Sequence, residues 1–545
     1  MRKAHIAPIA AICAAVIALA GCGNNSASTG ATGSKSQMTV YGCEPQHKLI
    51  TTNTNETCGG NPMNMMDAGL TGYTDNGDTK LEIAKSITAN SDNTKFDIKL
   101  KDWKFSDGTP VTAKDFTRAW SYGANASNAQ VSSNFFSMIK GYDELQKKGV
   151  DKNAQLSGLK VINNKEFTVE LNAPTSTFRQ QLGYVAFSPP PQSFYKDPTA
   201  FGEKPITSGM YKISAWNHNQ SIQLVKNKYY HGMHQVLNSA LTFKIYTSTD
   251  SAYADVQSGN LDAMDSVPTA DRQSFRHDPT VKPYAKPGSS IFELAILANE
   301  PHWQTNTEEG RLRRKALSMA INREQIIKKV NFSLGSPATD FAAPKIPGHE
   351  DTYSLKGSDA LKYDAAKARE YWKQADAISK WDNSKPLGFY YSADGGSKDL
   401  FTAIANQVKN TLGIKTRPVA VATFSQFSDM VNQFKIHGVM MNSWQADYPS
   451  IENYLKPMFS TAAADGRGSN SANYKNPEFD ELLSKAARSD EAQATKYYHQ
   501  AEEVLFRDLP MIPIYNQYAT GVSGATVKGF TMSWQSATIY NELHR

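Results

Sequence analysis

Residues 96–120 read FDIKLKDWKFSDGTPVTAKDFTRAW and carry the signals that decide the fold class. Phe96-Asp97-Ile98-Lys99-Leu100 alternates apolar and polar side chains, the period of a half-buried strand. Ser106-Asp107-Gly108-Thr109-Pro110 is dense in turn formers. Thr112 then precedes Asp115 by three, an approximate capping box that opens a helix through Phe116, Ala119 and Trp120. Strand, tight turn and helix follow each other closely, and the alternation continues outward. Ile222-Gln223-Leu224-Val225 and Leu241-Thr242-Phe243-Lys244-Ile245 read as strands. Leu312, Ala316 and Ala320 share one helical face, with Leu317 and Ile321 beside them and Arg311, Arg313, Arg314 and Lys315 expected in solvent. Tyr497 to Arg507 reads as a helix that Leu509-Pro510 ends, and Met511 to Tyr515 as a strand. The class is mixed α/β with more than one lobe.

The chain has 545 residues, 40% apolar and 20% charged, which excludes a largely disordered protein. A mean hydropathy of −0.50 excludes a polytopic membrane protein. Lys and Arg exceed Asp and Glu by 6, but no basic stripe accompanies the excess, so nucleic acid is not an expected partner. Met1-Arg2-Lys3 followed by the apolar run Ile6–Ala20 reads as a secretory signal, too short to span a bilayer. Its end, Leu19-Ala20-Gly21-Cys22, resembles the lipobox of bacterial lipoproteins, which implies cleavage after residue 21 and lipidation of Cys22. Gly23–Gln37 (GNNSASTGATGSKSQ) has no large apolar residue and reads as a flexible tether with a reach of about 20 Å. In an oxidising compartment the remaining pair, Cys43 and Cys58, is expected to form a disulfide.

Catalytic signatures are missing. The sequence has no GxxxxGK[ST] loop, no HExxH helix and no GxSxG elbow. His231 and His234 form the one close histidine pair, in a turn-like Gly context that favours solvated side chains over a metal. Asp75, Asp78 and Glu82 do not have the spacing of a calcium loop. No cofactor, metal or enzymatic activity is expected.

Several segments stand in one order along the chain: Phe105–Phe116 (FSDGTPVTAKDF), Trp216 with Ile222–Asn227 and Tyr229-Tyr230, and Gly259-Asn260-Leu261-Asp262. Arg311–Arg323 (RLRRKALSMAINR), Tyr363–Ala368 (YDAAKA), Ser443–Pro449 (SWQADYP) and Asn473–Asp480 (NYKNPEFD) follow. As a set they resemble the oligopeptide/dipeptide-binding family (family 5) of extracytoplasmic solute-binding proteins that serve ABC importers. The resemblance departs from the family pattern at Thr207–Tyr211 and does not extend to Tyr41–Gly60.

The resemblance implies a two-lobe α/β fold of the periplasmic-binding-protein kind (type II, large peptide-binding type), with an extra domain on lobe I. Lobe I is expected to be discontinuous, from 38–75, 200–288 and 515–545, with the extra domain at 76–199 and lobe II at 289–514. Two strands crossing near Ser290 and near Ile514-Tyr515 would act as hinges. The implied function is a monomeric, lipid-anchored receptor outside the cytoplasmic membrane. It would capture oligopeptides and pass them to an ABC permease driven by a separate ATPase. Other solutes, such as an oligosaccharide or a nickel chelate, or an exported hydrolase, are the alternatives.

The site follows from what peptides share. A main chain can pair with exposed backbone edges, and an enclosed α-ammonium needs a fixed carboxylate. The resemblance assigns that carboxylate to Asp447, with Trp444 walling the first pocket, Ala446 between them and Tyr448 supporting the loop. On the residues alone, Trp444 as core and Asp447 as a turn cap before Pro449 remain open. Tyr515, near the expected hinge, is a further cleft candidate for which core packing is the alternative.

Overall fold

Residues 37–545 are described by a computed structural model. The leader 1–21, Cys22 and the tether through Ser36 lie outside those residues. Gln37, read above as the tether's last residue, opens the strand Gln37–Gly42.

The alternating segment folds as its pattern requires. Strand Lys95–Leu100 buries Phe96, Ile98 and Leu100 and exposes the residues between them. Phe105 and Gly108 close the following turn, where Gly108 holds a φ of +92° beneath the Tyr229 ring. Helix Ala113–Ala124 starts at the expected capping box: the Asp115 carboxylate accepts from both the backbone N–H and the hydroxyl of Thr112, each at 2.8 Å. The helix lays Phe116 and Trp120 on Phe167 of a four-stranded antiparallel sheet. The strand order is Ala84–Ala89, Lys95–Leu100, Glu166–Glu170, Leu159–Asn163. Its core is drawn from residues between Ala68 and Phe187.

A second sheet, ten strands in one order with an eleventh, Gly335–Pro337, paired beside Tyr515–Gln517, runs through the rest of the molecule. At one end lie Tyr211–Asn217, Ser221–Lys226, Ala240–Ile245, Gln37–Gly42 and Ala263–Met264; at the other Val439–Gln445, Leu387–Ser392 and Thr416–Val421. Between them stand two long antiparallel strands, Val281–Ala295 and Met511–Gly524, registered from Val281 opposite Gly524 to Ala295 opposite Met511. Ala263–Met264 pairs with Val522 and Ser523 of one, whereas Val439–Gln445 pairs with Ser290–Ala295 of the other. The sheet therefore passes from one end to the other only through this pair. Their register shifts between Pro287 and Ser290 and again between Phe292 and Glu293. Such bulges let a paired ribbon bend and twist without giving up its remaining ladder. On the two sides of the ribbon stand separate hydrophobic cores. One is built on Met38, Val40, Leu224, Phe243 and Leu543. The other, much larger, gathers Leu294, Phe389, Phe401, Leu505 and Ile512.

One expectation fails on the helix Glu308–Met319. Arg313 and Arg314 do not face solvent; both side chains are fully buried. Arg314 donates from Nε to the carbonyl of Trp303 at 2.6 Å, from Nη1 to Leu509 and Pro510, and from Nη2 to Ile296 and Leu297. A guanidinium offers five fixed donors, and here five carbonyls, left over where strand ends converge, accept them. Arg313 lies over Trp372 and Trp381, with Glu309 and Asp376 each 2.9 Å away. Arg311, by contrast, is part-exposed and pairs with Asp508.

Candidate functional site

The first bend of the chain is clamped. Cys43 and Cys58 form a disulfide with their Cα atoms 5.0 Å apart. The next helix, Thr57–Met66, is capped by Glu56, whose carboxylate accepts from the Gly59 N–H at 3.0 Å. Helix and disulfide form one rim of a cavity of about 770 Å3. Its other walls come from Gly69–Asp75, from Tyr184, from Asp265 and from Ser533–Asn541. From the far side of the sheet only the loop Gln445-Ala446-Asp447 reaches it.

That loop continues strand Val439–Gln445 and is held from two directions. Asn453 Oδ1 accepts from the Asp447 backbone N–H at 2.8 Å. Gln445 Nε2 donates to the carbonyl of Gln535 at 2.8 Å, and Gln535 Nε2 donates back to the Asp447 carbonyl at 3.4 Å. Beneath the loop the Tyr448 hydroxyl bonds to Glu452 and that of Tyr454 to the carbonyl of Ser289. The Asp447 side chain remains at the cavity wall without an ion-pair partner among the described residues. Burial raises its carboxyl above the usual range, and the Asn453 side chain offsets part of that rise. Tyr184 is pushed up to about 12, first by burial and then by the negative charge of Asp447. Tyr73 is raised for the same two reasons together with the nearby Tyr184, and its ring meets Trp534 edge-on at 5.3 Å. Asp447 thus lies within electrostatic range of an aromatic wall, as a half-buried acid for which the described residues supply no compensating charge.

Of the ligand-contact candidates, Asp447 and Ala446 line this cavity. Trp444 does not. Strand alternation turns it away from Gln445, into a separate cavity of about 250 Å3 with Phe424, Phe427, Phe434 and Met441. Tyr448 is buried, and its hydroxyl bonds to Glu452. Tyr515 lines neither cavity; it is 8% exposed and stacks on Phe292 at 5.1 Å. His231 bonds through Nδ1 to the carbonyl of Tyr229. No group of His, Cys, Asp and Glu capable of holding a metal occurs among the described residues. Asp67, Tyr73, Tyr184, Asp265, Trp534 and Tyr540, which also line the cavity, were not singled out from sequence. They come from segments more than four hundred residues apart, and no local spacing joins them.

Comparison with known proteins agrees with this arrangement. Residues 78–466 match the family model "Bacterial extracellular solute-binding proteins, family 5 Middle". The oligopeptide-binding protein OppA of Bacillus subtilis is 24% identical over 88% of this chain and 87% of its own length. The periplasmic oligopeptide-binding protein OppA of Escherichia coli is 26% identical over 79% and 78%. Among solved structures, the murein tripeptide-binding protein MppA in an unliganded open form superposes with a TM-score of 0.80 at 21% identity, covering 94% of this chain and 97% of its own. Haemophilus influenzae OppA in complex with the peptide RPPGFSPFR gives 0.67 at 20% identity, covering 94% and 99%. These likenesses establish the two-lobe α/β fold of the large peptide-binding type. The relatives are named for what they bind, not for a reaction.

Proposed function

This chain belongs to the family 5 bacterial extracellular solute-binding proteins, and we propose that it captures oligopeptides in the cleft at Asp447 and delivers them to an ABC importer. The observation that carries the reading is Asp447 itself: a carboxylate in a cavity wall, largely out of water, with no cation beside it among the described residues. A peptide's α-ammonium supplies the missing charge, and enclosing the pair on closure strengthens it as water leaves. The peptide backbone would pair with exposed main chain along the cleft, which ignores sequence.

Closure would occur about Val281–Ala295 and Met511–Gly524 as two lobes hinge. Lobe I comprises 38–75, 200–288 and 515–545 and carries the 76–199 domain; lobe II is 289–514. The separate cores on either side of the ribbon, and the register shifts within it, support this division. Cys22 would carry the lipid that keeps this monomeric receptor at the outer face of the cytoplasmic membrane. There, closed and loaded, it would dock on a permease powered by a separate ATPase.

The test is to denature the purified chain, identify what it releases by mass spectrometry, and reload the refolded protein from a peptide mixture. Intact oligopeptides are expected in both fractions. Sugars, a nickel chelate or shortened peptides would contradict the proposal.

A further inference from the structure

We propose that the cleft selects peptides carrying a basic side chain besides the terminal amine, with Asp67 as the counter-ion for that second charge. The inference rests on the peptide reading above and names its substrate class. Across the chain Lys and Arg outnumber Asp and Glu, 58 to 52. The cavity inverts this balance. Glu56, Asp67, Asp75, Glu82, Asp265 and Asp447 line it, whereas among the described residues no Lys or Arg does and His234 is the one basic side chain. A wall of one sign repels anionic groups and raises the local concentration of cationic ones.

Most of these acids are already engaged. Glu56 caps its helix. Glu82 accepts from the Tyr230 hydroxyl at 2.7 Å and the Met233 N–H at 3.1 Å. Asp265 accepts from Asn61 Nδ2 at 3.2 Å and the Tyr540 hydroxyl at 3.0 Å. Asp75 is exposed, where a counter-ion gains little over water. Asp447 is assigned to the terminal amine. Asp67 differs from all of them: its Oδ2 is buried and has no hydrogen-bond partner among the described residues. Burial alone raises this carboxyl to about 8, so near neutral pH it stands as the uncharged acid until a cation beside it draws it to the carboxylate. A buried carboxyl oxygen with nothing to accept costs stability; of the described acids with such an oxygen, Asp67, Glu293 and Glu502, it is Asp67 that lines the cavity, where an incoming group can meet it. An ammonium or guanidinium is the group that donates to a carboxylate, and Tyr73, Tyr184 and Trp534 line the same cavity. The basic side chain therefore meets an acid that no protein group uses.

The experiment is calorimetric titration of the full chain, freed of ligand, with Ala-Ala-Ala and with tripeptides carrying one Lys or one Glu at each position in turn. At least one Lys peptide is expected to bind about tenfold or more tightly than Ala-Ala-Ala, and every Glu peptide more weakly. Asp67→Asn is expected to erase the Lys preference, read as the ratio of Lys-peptide to Ala-Ala-Ala affinity within the same variant, and Asp67→Glu to restore it. Lys peptides no better than Ala-Ala-Ala, with Ala-Ala-Ala bound, would overturn this inference and leave the peptide reading standing. So would a Lys preference that survives Asp67→Asn, or a loss shared equally by all peptides. Binding of none of the peptides would overturn both.

Discussion

Glu293 lies on the strand Val281–Ala295 with no exposed surface. One of its oxygens accepts from Asn442 Nδ2 at 2.9 Å, and the other has no partner among the described residues. Burial raises this carboxyl from 4.5 to about 8, against a smaller opposing effect of the Asn442 bond. The sign of the consequence is set by linkage. Below about pH 4.5 the group is protonated whether the chain is folded or not, and its contribution is intact. Between about pH 4.5 and 8 the unfolded chain ionises while the folded one does not, so stability is lost as pH rises. At about 1.4 kcal/mol per unit, the full span corresponds to about 5 kcal/mol. Unfolding entropy for some 500 folded residues comes to about 1 kcal/mol per degree, so the span converts to about 5 °C in Tm. Glu293→Gln keeps the volume and the acceptor for Asn442 and cannot titrate. The Tm of this variant relative to the parent should rise by about 5 °C between pH 4.5 and 8.5, read by differential scanning calorimetry. Asp67 and Asp447, raised by burial in the same direction, are present in both chains and cancel. A Tm difference that stays constant across this range, or moves toward the parent, would refute the reasoning.

Arg314→Lys replaces five donors by three on a shorter reach, and should destabilise by about 3–5 kcal/mol in urea unfolding, with buried carbonyls left unpaired. An unchanged midpoint would mean that the carbonyl cage closes on its own. Cys43→Ser with Cys58→Ser opens a loop with a sequence separation of 15 and should cost about 3 kcal/mol, or about 3 °C in Tm. A thiol reductant should lower the parent's Tm by the same amount and leave the variant's unchanged.

What could be read from the chain was local. The strand at Phe96–Leu100 and the Thr112–Asp115 capping box emerged as expected, because a period of two and a three-residue reach are settled by neighbours. Met511–Tyr515 was legible as a strand, but not its continuation to Gly524, where Gly521 and Ser523 carry no strong strand signal and pairing with the distant segments Val281–Ala295 and Ala263–Met264 keeps the chain extended. Arg313 and Arg314 misled because a run of cations looks like a wet helix face; the carbonyls and indoles that accept them come from distant segments. Asp447 was singled out through the resemblance of its loop to a family motif, and it lines the cavity. Trp444, three residues earlier in that motif, is turned by strand alternation into a different cavity. Asp67 left no mark in the sequence, since its significance lies in what fails to approach it.

The central claim is that Asp447 balances the positive end of a captured peptide. It is tested most directly by titrating the parent and Asp447→Asn with Ala-Ala-Ala and with the same peptide N-acetylated. The account predicts that the variant loses about 2–4 kcal/mol of affinity for the free amine and little for the acetylated peptide, so that discrimination between them nearly vanishes. Equal losses for both peptides, or a parent that binds the acetylated form as tightly as the free one, would contradict it.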